Sequence, residues 1–262
     1  MLGAGAWGAT LASLQADNFR RVNLFDADVS LCEEINRFHS NQRSLGAFRI
    51  PPEVLATGSL ERALDGASAV IMAVPSQAVR EVSRGLKPLI PEEVPVVIAT
   101  KGMERDSGLL SLEVFLEECR RKPYPLVLSG PNLAREITEG RPSVSVLAGR
   151  GPFLTGRLRK ALEHPMLSLT TWHDPLGVQV MGALKNAYAV ACGIARALGW
   201  GDNVMAAIIW KGLMESARFT RSLGGDPSVI STPAGVGDFI ATGFSPLSRN
   251  HNQGRIIAGL AG

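Results

Sequence analysis

Short, nearly continuous apolar runs alternate with amphipathic stretches through the first two-thirds of the chain. The runs Val22 to Phe25, Ala69 to Val74, Val94 to Ala99, Leu126 to Ser129, Val144 to Leu147 and Leu167 to Thr171 are β-branched or Leu-rich and bounded by turn residues or polar segments, so they read as strands. Strands without a polar face must be covered on both sides, which predicts a mostly parallel sheet. Val29 to Phe38, Ser76 to Leu86 and Leu109 to Cys119 repeat their apolar positions at helical period and supply crossover helices. From about Asp174 the pattern changes: Gly177 to Leu198 and Asn203 to Leu223 are long, helical in period and free of strand signals. The chain therefore divides into a mostly parallel α/β domain over residues 1–175 and an all-α domain over residues 176–262. Within the second, Gly182 to Leu198 is apolar on almost every face, which predicts a helix through the middle of the molecule.

Composition narrows the function classes. At about 150 residues per domain, 262 residues make one large domain or two unequal ones. With 45% hydrophobic and 19% charged residues, disorder is excluded. The 27 Lys and Arg against 24 Asp and Glu leave +3, and the longest basic run is Arg120-Arg121-Lys122, too little charge for a nucleic-acid partner but compatible with a small anionic ligand. Cys32, Cys119 and Cys192 stand apart without metal or disulfide spacing, so no metal is expected and a reducing cytoplasm is. His39, His164, His173 and His251 are not paired at metal spacing and are expected at surface or supporting positions. Trp172, Trp200 and Trp210 are expected to fill the core. No run of 18 apolar residues exists, which removes a membrane span. Met1 to Ala16 has the length of a signal-peptide apolar segment, but no Lys or Arg precedes it.

Those first residues have another use. Gly3-Ala4-Gly5-Ala6-Trp7-Gly8 fits G-x-G-x-x-G and opens into a helix-compatible run, Ala9 to Ala16. Glycines permit the tight turn and let the backbone approach a pyrophosphate seated on the helix N-terminus, the arrangement of a Rossmann-like dinucleotide site. Asp26 ends the second strand about 20 residues further on, where a carboxylate accepts the ribose hydroxyls of NAD and repels the extra phosphate of NADP. Asp28 competes for that role, and either residue also serves as a cap for the helix beginning near Val29. Trp7 falls beside any bound cofactor. Only Met1-Leu2 precede Gly3, however, and loss of the central first strand would expose edge groups on both neighbours, so the true start is expected upstream.

Two lysines sit where lysine is expensive. Lys101 follows the apolar strand in Thr100-Lys101-Gly102, at the carboxyl end of the sheet where open α/β folds bind ligands. Lys185 lies inside the apolar helix, and desolvation there lowers its pKa toward that of a neutral-pH acid/base. A snorkelling surface lysine is the alternative at either position. Gly235-Val236-Gly237-Asp238 and Ser248-Arg249-Asn250 form two polar clusters; an arginine fork, a hydroxyl and an amide suit a phosphorylated substrate. Ser248 is equally a helix N-cap for a segment ending at Leu260, with Arg249 a solvated first-turn residue.

In order, Gly3-Ala4-Gly5-Ala6-Trp7-Gly8, Ala73-Val74-Pro75-Ser76, Lys101-Gly102-Met103-Glu104, Leu128-Ser129-Gly130-Pro131, Gly182-Ala183-Leu184-Lys185-Asn186, Gly201-Asp202-Asn203, Gly235-Val236-Gly237-Asp238 and Ser248-Arg249-Asn250 resemble the NAD(P)-dependent glycerol-3-phosphate dehydrogenase family. The resemblance implies a Rossmann-like domain followed by a helical substrate domain, and reversible reduction of dihydroxyacetone phosphate to sn-glycerol 3-phosphate for phospholipid synthesis. It implies Lys185 as general acid/base, with Lys101 and Asp238 completing the catalytic set. Gly3, Gly5, Ala6, Trp7, Gly8, Asp26, Lys101, Ala134 and Arg249 are implied at the cofactor. Lys101, Gly130, Asn132, Lys185, Asp238, Ser248, Arg249 and Asn250 are implied at the substrate. A cytoplasmic homodimer is expected, without nucleic acid.

Departures qualify these expectations. The stretch Asp26-Ala27-Asp28 lacks the basic residue suited to NADP, which predicts a preference for NAD. Lys211 replaces the usual Arg, and Asn132-Leu133 the usual Ser-Phe. The family also continues past Gly262, so the chain is expected to be incomplete at both ends, its helical domain lacking its C-terminal part and exposing an apolar patch that favours self-association. Two other functions compete: a related hydroxyacid-type dehydrogenase, which has no reason to keep Ser248-Arg249-Asn250, and a nucleotide-binding fragment without turnover.

Overall fold

The computed structural model describes residues 1–120 and 124–259. Arg121 and Lys122 of the basic run, and Leu260 at the expected end of the last helix, lie outside the described residues. The elements run α1 (Ala6–Gln15), β1 (Val22–Phe25), α2 (Val29–Phe38), α3 (Gln42–Leu45), β2 (Val54–Thr57), α4 (Leu60–Leu64), β3 (Val70–Met72), α5 (Val79–Leu86), β4 (Val96–Ile98), α6 (Ser111–Cys119), β5 (Leu126–Ser129), α7 (Ala134–Thr138), β6 (Ser143–Ala148), α8 (Pro152–Leu162) and β7 (Leu167–Trp172). Four helices follow: α9 (Pro175–Ala197), α10 (Asp202–Ser222), α11 (Asp238–Phe244) and α12 (Arg249–Ile257). Every strand expected from the apolar runs is present.

β1 pairs with β2, and β3, β4, β5, β6 and β7 follow one another in a second group; every pairing is parallel except β5 with β6. Residues 1–3 join the two groups. Leu2 bridges both Phe25 and Met72 in parallel fashion, Leu2 N–H donates to Ile71 O at 2.8 Å, and Ala73 N–H donates to Leu2 O at 2.7 Å. On the other side Gly3 N–H donates to Phe25 O and Phe25 N–H to Met1 O. Leu2 thus bridges β1 and β3 at the centre of the sheet, and backbone groups of Phe25, Ile71 and Ala73 that were expected to stay open are paired there. β2 escaped the sequence pattern because four residues with alternating burial, after Pro51-Pro52, carry little periodic signal.

Apolar side chains cover both faces. Leu11 and Leu14 of α1 and Leu158 and Leu162 of α8 pack with Val97, Leu126 and Leu128 on one side. Phe115 of α6, Val178 and Met181 of α9 and Phe239 of α11 pack with Val96, Ile98 and Val127 on the other. The long α9 begins on an Asp174 N-cap, whose carboxylate accepts from Leu176 and Gly177 N–H, with Pro175 in the first turn. It contacts α10, α11, α12 and the sheet, the central place that its all-round apolar character demands.

Two aromatic expectations fail. Trp200 and Trp210 are 52% and 64% exposed. Trp200 stands in the turn after α9, and Trp210 projects from α10 outside the stripe of the buried Met205, Ile209 and Leu213. His251, by contrast, is buried, its Nδ1 2.8 Å from Gly243 O.

Glycine pairing seats α12 on α9. A Cβ at Gly193 would lie 1.9 Å from His251 O, and one at Gly254 would lie 2.0 Å from Val190 O. Gly193→Ala is therefore expected to lower stability by about 1–3 kcal/mol in urea unfolding, whereas Gly156→Ala, inside α8 with nothing within 4 Å of the new Cβ, is expected to raise it by about 0.5–1 kcal/mol.

Candidate active site

Asp238, the first residue of α11, is only 1% exposed and is held between two lysines. Lys185 Nζ, from α9, donates to its Oδ1 at 2.5 Å, and Lys101 Nζ, just past β4, donates to its Oδ2 at 2.8 Å. Lys185 also donates to Thr242 Oγ1 at 2.8 Å, and that hydroxyl lies 3.2 Å from Asp238 Oδ1, to which it donates in turn. Lys101 also donates to Gly130 O at 2.8 Å. An ammonium group has three N–H donors. Each lysine thus spends two on protein atoms and keeps one for a ligand.

The electrostatics follow from burial. Lys185 is 7% exposed, and desolvation, joined by repulsion from the Lys101 ammonium, pushes its pKa down to about 8 against the attraction of Asp238. Burial pushes the Asp238 carboxyl up, but the two ammonium groups outweigh that effect and leave it below the ordinary carboxylate range. The site therefore holds a firmly ionised carboxylate and one lysine poised to exchange its proton near neutral pH.

Backbone contacts fix the lysines relative to each other. Gln179, six residues before Lys185 on α9, donates from Nε2 to Thr100 O at 2.9 Å and accepts at Oε1 from Leu112 N–H at 3.1 Å. Thr100 Oγ1 in turn donates to Val74 O at 2.8 Å. A Cβ at Gly182 would lie 3.0 Å from Ser129 Oγ and 3.4 Å from Lys101 Cγ, so the absent side chain brings α9 close to β5 and Lys101. Beyond Lys101, Arg80 clamps Glu104 with bonds of 2.8 and 2.7 Å and holds its carboxyl down to about 2.

The glycine turn lies at the same end of the sheet. Gly3 has φ +100°, and a Cβ there would lie 2.7 Å from Ala73 O; at Gly8 it would lie 1.9 Å from Gly3 O. Gly5 is the N-cap of α1, with nothing within 4 Å of its own missing Cβ. Backbone N–H groups of the first turn thus open onto a side-chain-free cradle, the fit a pyrophosphate requires. Asp26 Oδ2 accepts Ala4 N–H at 2.7 Å and its Oδ1 accepts Asp28 N–H at 3.0 Å, which pins the turn to the end of β1. Asp28 takes the capping role, accepting Leu31 N–H. Asn41 Nδ2 donates to Ala4 O from the other side. Trp7 packs against the α1 and α8 cluster with its buried Nε1 unpartnered, and Ala134 opens α7, which touches α1.

Of the polar cluster near the chain's end, Asn250 Nδ2 donates to Asn186 Oδ1 at 2.7 Å and so brings the start of α12 beside Lys185. Ser248 accepts His251 N–H as N-cap, and Arg249 is exposed. Asn132 accepts at Oδ1 from Ser145 and Ser143 Oγ, leaving its buried Nδ2 unpartnered. The structure unites Lys101, Gly130, Lys185 and Asp238 by direct contact, while Asp26 and the glycines form a neighbouring station linked through Ala73 and Val74. Thr242 and Gln179 were missed by sequence reasoning. Thr242 carried a signal, since it follows Asp238 by four residues on one helix face.

Comparison with known proteins was made on this geometry. Two family models match: the NAD-dependent glycerol-3-phosphate dehydrogenase N-terminus over residues 1–152 and its C-terminus over residues 174–260. A glycerol-3-phosphate dehydrogenase [NAD(P)+] of Anaeromyxobacter sp. (strain K) is 37% identical over 98% of the chain and 78% of its own length. That of Parafrankia sp. (strain EAN1pec) is 40% identical over 97% and 76%. The crystal structure of glycerol-3-phosphate dehydrogenase from Coxiella burnetii superposes with a TM-score of 0.92 at 32% identity, covering 98% of this chain and 78% of that one.

Gln179→Leu keeps the volume but strands Thr100 O and Leu112 N–H in the interior. It is expected to cost about 1–3 kcal/mol of stability per unpaired group and to lower kcat more than it raises the KM for cofactor, as steady-state kinetics will show.

Proposed function

Because the chain belongs to the NAD-dependent glycerol-3-phosphate dehydrogenase family, we propose that Lys185 is the general acid/base of its reaction, with Lys101 and Asp238 as its electrostatic partners. The activity is NAD(P)-dependent interconversion of dihydroxyacetone phosphate and sn-glycerol 3-phosphate. The observation that carries the assignment of roles is the buried Lys185–Asp238–Lys101 arrangement, in which each ammonium keeps one free N–H.

The glycine cradle, Trp7, Asp26, Ala134 and Arg249 would hold the nicotinamide cofactor, which when bound would supply the hydride. The chain's residues manage charge and proton. Lys101 directs its free N–H at the carbonyl oxygen and stabilises negative charge building there. Protonated Lys185 transfers a proton to that oxygen, and its own neutral amine stays hydrogen-bonded to Asp238 and Thr242. Asp238 stays ionised throughout, so each lysine keeps its orientation. In the oxidative direction the neutral Lys185 amine takes the alcohol proton. Gly130, Asn132, Ser248, Arg249 and Asn250 hold the phosphorylated substrate, with the exposed guanidinium of Arg249 and the unpartnered Nδ2 of Asn132 as its free donors.

The setting belongs to the same reading. No helix among the described residues is long and apolar enough to cross a membrane, and Cys32, Cys119 and Cys192 are buried free thiols, in keeping with a cytoplasmic protein. The exposed Ile240, Ile256 and Ile257 of α11 and α12 offer an apolar face for a homodimer. Small phosphorylated metabolites, not nucleic acid, are the partners, and phospholipid synthesis is the destination of the product.

Lys185→Ala is expected to lower turnover of dihydroxyacetone phosphate by about 10³-fold or more while NADH binding, followed by fluorescence titration, changes little. In the wild type, ketone reduction should fall as pH rises through about 8, and alcohol oxidation should rise over the same range, because only the former needs protonated Lys185. A pH-independent reduction rate to well above that value would remove Lys185 from the role. With carboxylates at Asp26 and Asp28 flanking the end of β1, the KM for NADH is expected below that for NADPH; the opposite order in initial-rate measurements refutes the preference.

A further inference from the structure

On the outer face of α10, away from the lysines, a groove of about 880 Å³ runs between the helix and the 3₁₀ turn over Pro227–Ser231. Trp210, Met214, Ala217, Pro227 and Ile230 form its apolar walls. Trp210, Met214, Ala217 and Arg221 repeat at helical spacing, so one stripe of α10 carries all four. Lys211, Arg218 and Arg221 line the same groove and are exposed.

The charge on this rim is one-sided. Among the described residues none of these three cations has an ion-pair partner within 4.0 Å. The nearby carboxylates are engaged elsewhere: Glu215 accepts the Tyr188 hydroxyl, and Asp226 accepts Ser228 N–H and Oγ and pairs with His173. An indole left 64% exposed beside aliphatic walls, under three unpaired cations, is complementary to a molecule with an apolar body and an anionic end.

We propose that this groove is a binding site for a single-chain amphiphile with an anionic head, its alkyl chain against Trp210, Met214 and Ile230 and its head against Lys211, Arg218 and Arg221. The volume suits a small molecule, since ligand pockets span roughly 300–1,000 Å³. A second copy docking here about a two-fold axis would set like cations against each other, which disfavours that occupant.

Fluorescence quenching by ω-bromododecanoate, added below its micelle-forming concentration, tests the site, because bromine quenches an indole only in contact. Saturable quenching is expected, with a large part of it lost in Trp210→Phe. Arg218→Glu/Arg221→Glu should weaken binding at least tenfold while dehydrogenase activity, the control for folding, persists. Affinity should rise with chain length, by up to roughly fourfold per methylene. Three results would overturn the proposal: unchanged quenching in Trp210→Phe, equal binding of dodecyltrimethylammonium, or binding to anionic phosphatidylglycerol vesicles but not to the monomeric amphiphile, which would make the face a membrane contact.

Discussion

A carboxylate buried to 1% exposure is tolerable only if its charge is met within hydrogen-bond distance, and Asp238 is met twice. Its partners come from distant parts of the chain: Lys101 beyond β4 and Lys185 in the middle of α9. The ion triad therefore joins the sheet, the central helix and α11 at one point. Removing the carboxylate would leave two ammonium groups facing each other in the interior with nothing between them. Removing either lysine would leave the other alone with it. Interactions of this kind tend to be neutral for stability when intact and severe when half-broken, so what they provide is geometry. Here they fix where the two free N–H groups point.

The rest of the site can be traced outward from that constraint. Gln179 ties α9 to the backbone of Thr100, and Thr100 reaches Val74, whose neighbour Ala73 touches the glycine turn. The cradle and the lysines are thereby referenced to the same three strand ends. None of these links requires a flexible side chain at its exposed end. The clamp of Arg80 on Glu104 secures the far side of the Lys101 loop, and the Asn250–Asn186 bond secures α12 beside Lys185.

Much of this was legible in the residues. Apolar runs marked the strands, and a lysine inside a helix apolar on almost every face pointed to burial against the snorkelling alternative. The glycine spacing marked a tight backbone turn opening into a helix. What stayed hidden depends on partners supplied by the fold. Gln179 is one polar residue in an apolar helix, and nothing local says that Thr100 O and Leu112 N–H await it. Trp210 looked like core because indole is large and apolar, but burial depends on whether another element lies over it, which periodicity along a single helix cannot state. The pairing of the first residues also stayed hidden. In the sheet, three residues make the pairings that a longer strand would make at those positions.

The sign of the site's charge gives a reason for using two lysines where one proton donor would serve. On the proposed roles, two protonated lysines against one carboxylate leave the triad with a net positive charge in a desolvated place, a field that would favour an anionic ligand and negative charge building on a ketone oxygen. On that proposal, transfer of a proton from Lys185 would neutralise the triad as the alkoxide is quenched. Burial, joined by repulsion from Lys101, lowers the Lys185 pKa to about 8, and loss of that proton would relieve both. Burial and the second lysine together offset the aspartate's pull and leave Lys185 able to exchange a proton near neutral pH.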